Sequence, residues 1–358
     1  MARQNSRLLY FDLLKVVFIL CVLFQHLPEY LGYNPLYALG IGVFVNQLGG
    51  IGVTGFVILS GFGLTNSYFH SDLRLQPKAF GLRRLWRVVP LYYLAILAWI
   101  FLVALIPPAN LAAHMLLIHV FFPDYSHNPG SLWFVGMIVQ CYLIFPIAIL
   151  ALQRGKWRWV WLIAYGIYCL GLALVIDGYY LSDTVLLYGL AFVLGMDLAI
   201  RMGEPSPNPY LSRKALYFSL LAFGVFALIY QFADWSGLTP WVTKPLTLLG
   251  EVSFFLVALN LAVRLGTQRP NLLLSSLAFA SYAVFLFHRP MWTLAVLSPL
   301  WGWISRLPPA YVSLTQFSYL VLLGMPLIFL VSYWIQIAND RTLAAIRWQR
   351  NSHGVADT

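Results

Sequence analysis

Three ionisable residues lie in an otherwise apolar stretch near the start of the chain, FDLLKVVFILCVLFQH. Asp12 and Lys15 lie near one end of this stretch and His26 lies at the other. In an α-helix, Lys15 and His26 would lie roughly 16 Å apart along the helix axis, and their directions around that axis would differ by about 20°. Ionisable groups inside a spanning helix are costly unless they face a protein interior or a watery cavity. The pattern therefore predicts a polar stripe that marks a site; the alternative is that Lys15 reaches the headgroups and His26 the opposite interface.

A cluster of three arginines, in FGLRRLWRVVP, precedes a later apolar run. Arg84 and Arg87 are three residues apart and share one face of a helix, with Arg83 beside them. The guanidinium fork suits phosphate. The cluster predicts a site for a phosphate-bearing ligand, with contact to anionic lipid as the alternative.

A third segment, GGIGVTGFVILSGFGLTNSY, carries glycines at positions 49, 50, 52, 55, 61 and 63. Small residues allow membrane helices to approach closely, so these glycines predict helix packing. Ser60 could add a hydroxyl group to the wall of a cavity.

Two more apolar segments carry polar side chains that need hydrogen-bond partners in a membrane. SLWFVGMIVQCYLIFP contains Trp133, Gln140 and Tyr142. SYAVFLFHRPMW contains His288 and Arg289 directly before Pro290, and we expect this proline to break the helix. An arginine beside a histidine at membrane depth indicates a functional role.

The sequence predicts no metal site. His114 and His119 are five residues apart and would project about 140° from each other on a helix. The cysteines Cys21, Cys141 and Cys169 lie in apolar runs without paired spacing, which is typical of packed thiols rather than ligands or disulfides.

The composition predicts an integral membrane protein. The chain has 358 residues, of which 61% are hydrophobic and 9% charged, with a mean hydropathy of +0.77. Soluble domains carry about 25% charged residues. The net charge of +10 comes from basic residues placed between apolar runs, so it indicates membrane topology rather than nucleic-acid binding.

We predict an all-α bundle of ten transmembrane helices over residues 1–338, followed by a short cytoplasmic tail over 339–358. Each span supplies roughly the 17 to 25 residues that a bilayer demands. The predicted spans are 8–27, 43–68, 88–106, 132–152, 160–176, 185–200, 215–232, 246–263, 272–297 and 311–338. The first span has no small-residue cleavage site before or within it, so we expect it to be retained.

The basic residues set the predicted orientation. With the N-terminus inside, 18 of the 22 lysines and arginines fall on the inner side, and Lys244 and Arg306 are the two in outer loops. Both termini are therefore expected in the cytoplasm. The longest outer connection, residues 107–131, contains twelve apolar residues in a row; these are too few to span, so we expect an interfacial or re-entrant segment.

These segments, in this order, resemble the membrane-bound acyltransferase 3 family of acyl-CoA-dependent O-acyltransferases. The resemblance covers nearly the whole chain, and it depends on the ordered set of motifs rather than on any one of them. The matching residues are Lys15 and His26 with Asp12 before them, then Ser60, Gly61 and Phe62, then Arg84, Arg87 and Pro90, and finally Ser281, Tyr282 and His288.

The resemblance implies transfer of an acyl group, commonly acetyl, from cytoplasmic acyl-CoA to a hydroxyl of a carbohydrate or glycolipid outside a bacterial plasma membrane. Acyl-CoA would bind Arg83, Arg84 and Arg87 by its phosphates, and its pantetheine arm would follow the stripe from Lys15 to His26. His26 would act as the base. Direct transfer and a transient acyl intermediate both remain open.

The predicted catalytic residues are His26, Lys15 and Asp12, and Asp12 is expected to pair with Lys15. The supporting residues are Ser60, Trp133, Gln140, Tyr142, His288 and Arg289. Among them, Ser60, Tyr142 and Arg289 could stabilise the oxyanion.

Two positions depart from the family pattern. Lys15 stands where arginine is more common, which keeps the charge but loses the bidentate fork. Ile138 and Val139 stand where many members carry an acidic pair. This second departure favours a catalytically silent relative as an alternative. A transporter is another, because charged residues at depth also mark substrate pathways. A lipid-linked glycosyltransferase is a third, although outer-loop acids are sparse.

Overall fold

A computed structural model describes residues 9–31, 41–69, 77–126, 129–176, 184–232, 239–265 and 271–354. Helices make up 88% of the structure, and the described residues contain no strand. The predicted all-α class is therefore confirmed. The basic N-terminal segment 1–7, Arg74 and Arg269, which contribute to the predicted orientation, lie outside the described residues.

Fifteen α-helices follow one another along the described chain. The first eight are α1 (Leu9–His26), α2 (Gly42–Val45), α3 (Leu48–Phe69), α4 (Pro77–Leu102), α5 (Pro108–Met115), α6 (Pro123–Ser126), α7 (Trp133–Gln153) and α8 (Trp157–Ile176). The remaining seven are α9 (Thr184–Gly203), α10 (Arg213–Phe232), α11 (Pro240–Leu265), α12 (Leu272–Val296), α13 (Pro299–Ile304), α14 (Pro309–Tyr319) and α15 (Met325–Gly354). A π-helical turn, Leu320–Gly324, joins α14 to α15.

Eight of the described helical segments are long and apolar enough to cross a membrane. They correspond to predicted spans one to four and seven to ten. Helices α8 and α9 occupy the places of predicted spans five and six, but they are not among the eight. The count of ten spans and the cytoplasmic termini therefore remain predictions.

Helices α1 and α12 run side by side in the same direction. The Ser275 hydroxyl donates to Asp12 Oδ2 at 3.1 Å, and the Arg289 guanidinium lies 2.9 Å from His26 Nδ1. Both pairs are separated by 263 residues. This constant offset keeps the two helices in register over four turns, so residues at equal depth face each other. We call the two ends of the bundle the Asp12 side and the His26 side.

Helix α3 packs antiparallel to α1 through its glycines. A Cβ atom on Gly52 would lie 2.6 Å from the carbonyl oxygen of Phe18, which is closer than a real Cβ contact. Farther along α3, a Cβ on Gly61 would overlap the Phe192 carbonyl of α9. The predicted packing role of the glycines is confirmed here. Gly63 differs, because a Cβ there would meet no atom within 4 Å.

Two other helices complete the frame of the site. Helix α4 runs parallel to α12, because the Tyr282 hydroxyl donates to the Val88 carbonyl at 3.0 Å and Arg289 lies over the Trp99 ring. Helix α7 runs parallel to α3, because the Tyr68 hydroxyl donates to Gln153 Oε1 at 3.0 Å near the ends of both helices. The buried core fills the space between these helices.

One local prediction is wrong. Pro290 does not break its helix, because α12 continues from Leu272 to Val296; a proline removes one hydrogen bond, and membrane helices tolerate this where neighbours satisfy the backbone. The last described helix, α15, continues past residue 338 to Gly354, so the segment predicted as a cytoplasmic tail begins as helix.

Over its described residues, the connection between α4 and α7 folds into short helices and contains no span, as expected. His114 and His119 in this connection do not point apart. Helix α5 ends at Met115, and Leu117 adopts a positive φ of 58°, so the chain reverses. The rings of His114 and His119 therefore stack with centroids 3.7 Å apart. Burial, reinforced by His114, lowers the pKa of His119 to about 3.

Candidate active site

A cavity of about 430 Å³ opens between helices α1, α3, α4, α7, α12 and α15. Its volume lies within the range of about 300–1,000 Å³ that is typical of small-molecule sites. Along α3 its lining extends from Phe56 to Ser67, which corresponds to roughly 16 Å of helix axis. The cavity is therefore long enough to hold an extended ligand.

Two of the three predicted arginines line this cavity. Arg84 and Arg87 both contribute to the wall, as their spacing on one helix face requires. The Arg84 guanidinium also lies 5.6 Å from the centre of the Phe80 ring, and a cation over an aromatic face is held by the ring quadrupole. Arg83 is exposed and is not among the lining residues, so the structure does not bring it to the same cavity.

Lys15 adds a third cation to the same cavity. Its Nζ lies 3.5 Å from Asp12 Oδ1, so the expected ion pair is present. Asp12 itself is buried and also accepts the hydrogen bond from Ser275. Because Asp12 is anchored from two sides, it fixes where the ammonium group lies. On the far wall, the exposed Asp340 of α15 is the acidic residue of the described lining.

The remaining wall carries hydroxyl groups and one notable apolar residue. Ser60 and Tyr142 line the cavity, as does Tyr282. Ile138, one of the two residues at which the family resemblance leads us to expect an acid, also lies on this wall and is buried. An acid at this position would face the interior of the cavity.

A second polar cluster lies on the His26 side, where α1 passes into a short 3₁₀ turn (Leu27–Tyr30). His26 Nδ1 lies 2.6 Å from Glu29 Oε1, and the Arg289 guanidinium donates to the same oxygen at 2.7 Å. The Arg289 guanidinium also lies 5.7 Å from the centre of the Trp99 ring. Residues from α1, the turn, α12 and α4 thus meet around one imidazole.

The hydrogen-bond network assigns the tautomer of His26. The Arg289 guanidinium can only donate, and an ionised Glu29 can only accept. Nδ1 lies 2.6 Å from Glu29 Oε1 and 2.9 Å from the Arg289 guanidinium, so either tautomer leaves one of these two contacts without a hydrogen bond. An Nδ1–H satisfies the shorter contact, and Arg289 then donates to Glu29 instead. The proton is therefore assigned to Nδ1, which leaves Nε2 with a free lone pair. A carboxylate that orients an imidazole in this way is the arrangement of a general base.

His288 lies beside His26 and is fully buried. The two rings are stacked with centroids 5.2 Å apart. His288 Nδ1 donates to the Phe285 carbonyl at 2.7 Å, and Nε2 has no hydrogen-bond partner within the described residues. Arg289 likewise has a buried Nε–H without such a partner. Unpaired buried polar atoms are costly, so both are candidates for ligand contacts.

The predicted continuous stripe from Lys15 to His26 is divided in two. Lys15 lines the cavity, but His26, His288 and Arg289 are not among the residues that line it in the described part of the chain. Phe285 lies between the two regions, since it lines the cavity and its ring lies 6.1 Å from that of His288.

Two predicted supporting residues lie away from both regions. Gln140 donates from Nε2 to the Leu117 carbonyl at 3.1 Å, so it holds the reversed chain between α5 and α7. Trp133 stacks on Tyr188 of α9, with ring centroids 5.9 Å apart. Gln140 therefore has a hydrogen-bond partner and Trp133 has a stacking partner, but neither lines the cavity.

Glu29 is the residue that sequence reasoning missed. Its spacing of three residues from His26 is visible in the sequence, and it matches the helical neighbour rule. Trp99 was also missed, because its place under Arg289 depends on the packing of α4 against α12.

Comparisons with known proteins give one family. A family model described as an acyltransferase domain matches residues 8–337. No curated protein and no solved structure matches the chain significantly.

Proposed function

Because the chain belongs to the acyltransferase 3 family, a family of membrane acyltransferases, we propose that it transfers a short acyl group, acetyl in the first place, from acyl-CoA to a hydroxyl group. The proposed acceptor is a carbohydrate or glycolipid on the opposite side of a bacterial plasma membrane. The observation that supports this proposal best is the cavity, because it joins Lys15, Arg84 and Arg87 in one space that approaches the His26 cluster through Phe285.

The cationic wall suits the donor. Coenzyme A carries a diphosphate and a ribose phosphate at one end and a thin pantetheine arm at the other. Arg84 and Arg87 would bind the phosphates by charge-assisted hydrogen bonds. The uncharged arm would then extend along the cavity past Ser60 and Tyr282 toward Phe285. Arg84 and Arg87 therefore bind the donor, and they take no part in the chemical step.

His26 and Glu29 supply the base. An alcohol is a weak nucleophile at its own pKa, so His26 Nε2 would take the proton of the acceptor hydroxyl as its oxygen attacks the thioester carbonyl. Glu29 stabilises the imidazolium that forms, since its carboxylate is 2.6 Å from His26 Nδ1. When the carbon–sulfur bond breaks, His26 returns the proton to the departing thiolate, and the products are an ester and free CoA.

Arg289 would stabilise the oxyanion. Its Nε–H is buried without a partner in the described residues, whereas Glu29 already occupies the terminal nitrogen. A preorganised donor aimed at a developing negative charge usually contributes more to such catalysis than any other single effect. Ser60 and Tyr142, the other two candidates, lie in the cavity and are farther along the donor path. His288 Nε2 could accept a hydrogen bond from a second hydroxyl of the acceptor.

The test is mass spectrometry of surface glycans from cells with the gene, without it and with His26→Ala. We expect one acyl unit of added mass only with the parent gene, while the variant accumulates normally in the membrane. Full acylation with His26→Ala would remove His26 from the mechanism. Uptake or flipping of a solute without consumption of CoA would instead support a transporter.

A catalytically silent relative is the second candidate, and the position of Ile138 favours it. Ile138 contributes an apolar side chain to the cavity wall at a position where many family members carry an acid. In that case, replacing Arg84 would weaken the binding of CoA as in an active enzyme, but no acyl group would be transferred from acyl-CoA. Binding of CoA by calorimetry, combined with thiol release, separates the two candidates.

A further inference from the structure

The cavity ends in phenylalanine on three helices. On each of three helices, the described lining residue nearest the His26 side is a phenylalanine: Phe56 on α3, Phe134 on α7 and Phe285 on α12. We call these three residues the phenylalanine triangle. The other side chains of the lining, which include every charged one, lie farther toward the Asp12 side. Among the described residues, this end of the cavity is therefore lined by aromatic rings and by no charged side chain.

The three rings contact one another. The ring centroids of Phe134 and Phe285 are 4.8 Å apart, and Phe56 lies 6.4 Å from each of them. Aromatic pairs in contact have centroids about 4.5–7 Å apart. All three distances fall within this range, so the rings pack against one another across this end of the cavity.

The reacting groups lie directly behind the triangle. The Phe285 ring is 6.1 Å from that of His288, which is in turn 5.2 Å from that of His26. On α12, Phe285 and His288 are three residues apart, which is roughly 4.5 Å of helix axis. An acyl group carried by an arm in the cavity must therefore lie among these rings when its carbonyl carbon reaches His26.

We propose that the phenylalanine triangle selects the acyl group by size, admitting acetyl and propionyl and excluding longer chains. This inference rests on the proposed function and names the donor class for that site. A two-carbon group needs only a small displacement of the rings, whereas each further methylene must displace packed aromatic atoms. Well-packed protein interiors resist the insertion of even one added methylene. The same closure keeps water away from the thioester, so the thioester is transferred rather than hydrolysed.

The test uses acetyl-, propionyl-, butyryl- and hexanoyl-CoA supplied to membranes that contain the full chain. Free CoA thiol is measured against a His26→Ala background, and mass spectrometry of the glycans in the same membranes identifies the acyl group transferred. One methylene in an apolar pocket changes discrimination by about 10- to 200-fold. We expect Phe285→Ala to raise the butyryl-to-acetyl rate ratio at least about tenfold, and Phe285→Trp to lower the propionyl-to-acetyl ratio.

Phe226→Ala is the matched control. Phe226 is equally buried but lies on α10, away from the cavity, so its removal should leave the chain-length profile unchanged. If Phe285→Ala does not fold, Phe56→Leu and Phe134→Leu give the same test with smaller cavities.

The outcomes separate the two proposals. A parent chain that transfers acetyl, with triangle variants that keep its chain-length profile, overturns the selection by size and leaves the acyltransferase proposal intact. A parent chain that releases no thiol from any of the four donors overturns both.

Discussion

Replacing Glu29 by glutamine tests the proposed base without removing it. The substitution keeps the shape of the side chain but removes its charge, which contacts both His26 Nδ1 at 2.6 Å and the Arg289 guanidinium at 2.7 Å. The parent arrangement stabilises the imidazolium that forms as the hydroxyl loses its proton. Glutamine cannot do so, and its amide NH₂ can hold the wrong tautomer by donating to Nδ1.

The expected magnitude follows from the lost charge pair. Two unit charges 4 Å apart attract by about 1 kcal/mol in water and about 4 kcal/mol at an effective dielectric constant of 20. The Glu29 side chain is 45% exposed and that of His26 is 15% exposed, so we take an intermediate value of about 2–3 kcal/mol. This corresponds to a fall of about 30- to 150-fold in kcat. KM for acyl-CoA should not change, because the donor binds elsewhere.

The assay measures release of CoA thiol by membranes at matched protein levels, with His26→Ala as the inactive limit. Glu204→Gln is the matched control, because Glu204 is an exposed carboxylate outside both polar regions. Should Glu29→Gln keep the parental rate while His26→Ala is inactive, Glu29 does not orient or charge-stabilise the base. A variant whose loss appears only in KM would place Glu29 in substrate binding instead.

Two further predictions concern the donor and the fold. Arg84→Gln should raise KM for acetyl-CoA about tenfold or more, since a charged hydrogen bond contributes about 1.5–3 kcal/mol, while the control Arg83→Gln should change this KM little. Acetyl-pantetheine lacks the nucleotide phosphates, so both variants and the parent should use it equally. Unequal use of acetyl-pantetheine would contradict phosphate binding by Arg84. The pKa of His119 in the folded protein is lowered to about 3, so below about pH 6.5 the unfolded chain binds more protons than the folded one. The free energy of unfolding should therefore fall by about 2 kcal/mol from pH 7.5 to pH 5. The melting temperature in detergent should therefore fall less for His119→Phe than for the parent over this range, and equal slopes would contradict the buried neutral imidazole.

Local periodicity was enough to predict the parts of the site that lie on one helix. Arg84 and Arg87 share the cavity because a spacing of three places them on one face. The ion pair between Asp12 and Lys15 follows from the same rule. The all-helical class followed from apolar runs of spanning length. In each case the deciding interaction is between near neighbours in the chain.

The remaining features depend on how distant segments pack. Arg289 meets Glu29 because α1 and α12 are parallel and in register across 260 residues, and no local pattern specifies that register. His114 and His119 stack because one residue, Leu117, takes a left-handed conformation; a leucine gives no sequence signal for this. The closure of the cavity by three phenylalanines was hidden for the same reason, since apolar residues in apolar helices are indistinguishable until their neighbours are known.

The division of the site into two regions has a physical purpose in the proposed reaction. A phosphate-bearing donor requires cations and water, whereas an imidazole base and a thioester react best where water is excluded. One continuous polar channel would provide the cations and water for the phosphates, but it would also let water reach and hydrolyse the thioester and would let ions pass. Separation by Phe285, which lines the cavity and whose ring lies 6.1 Å from that of His288, allows the charged end of the donor to remain hydrated. Only its neutral acyl end then needs to enter the region that contains His26.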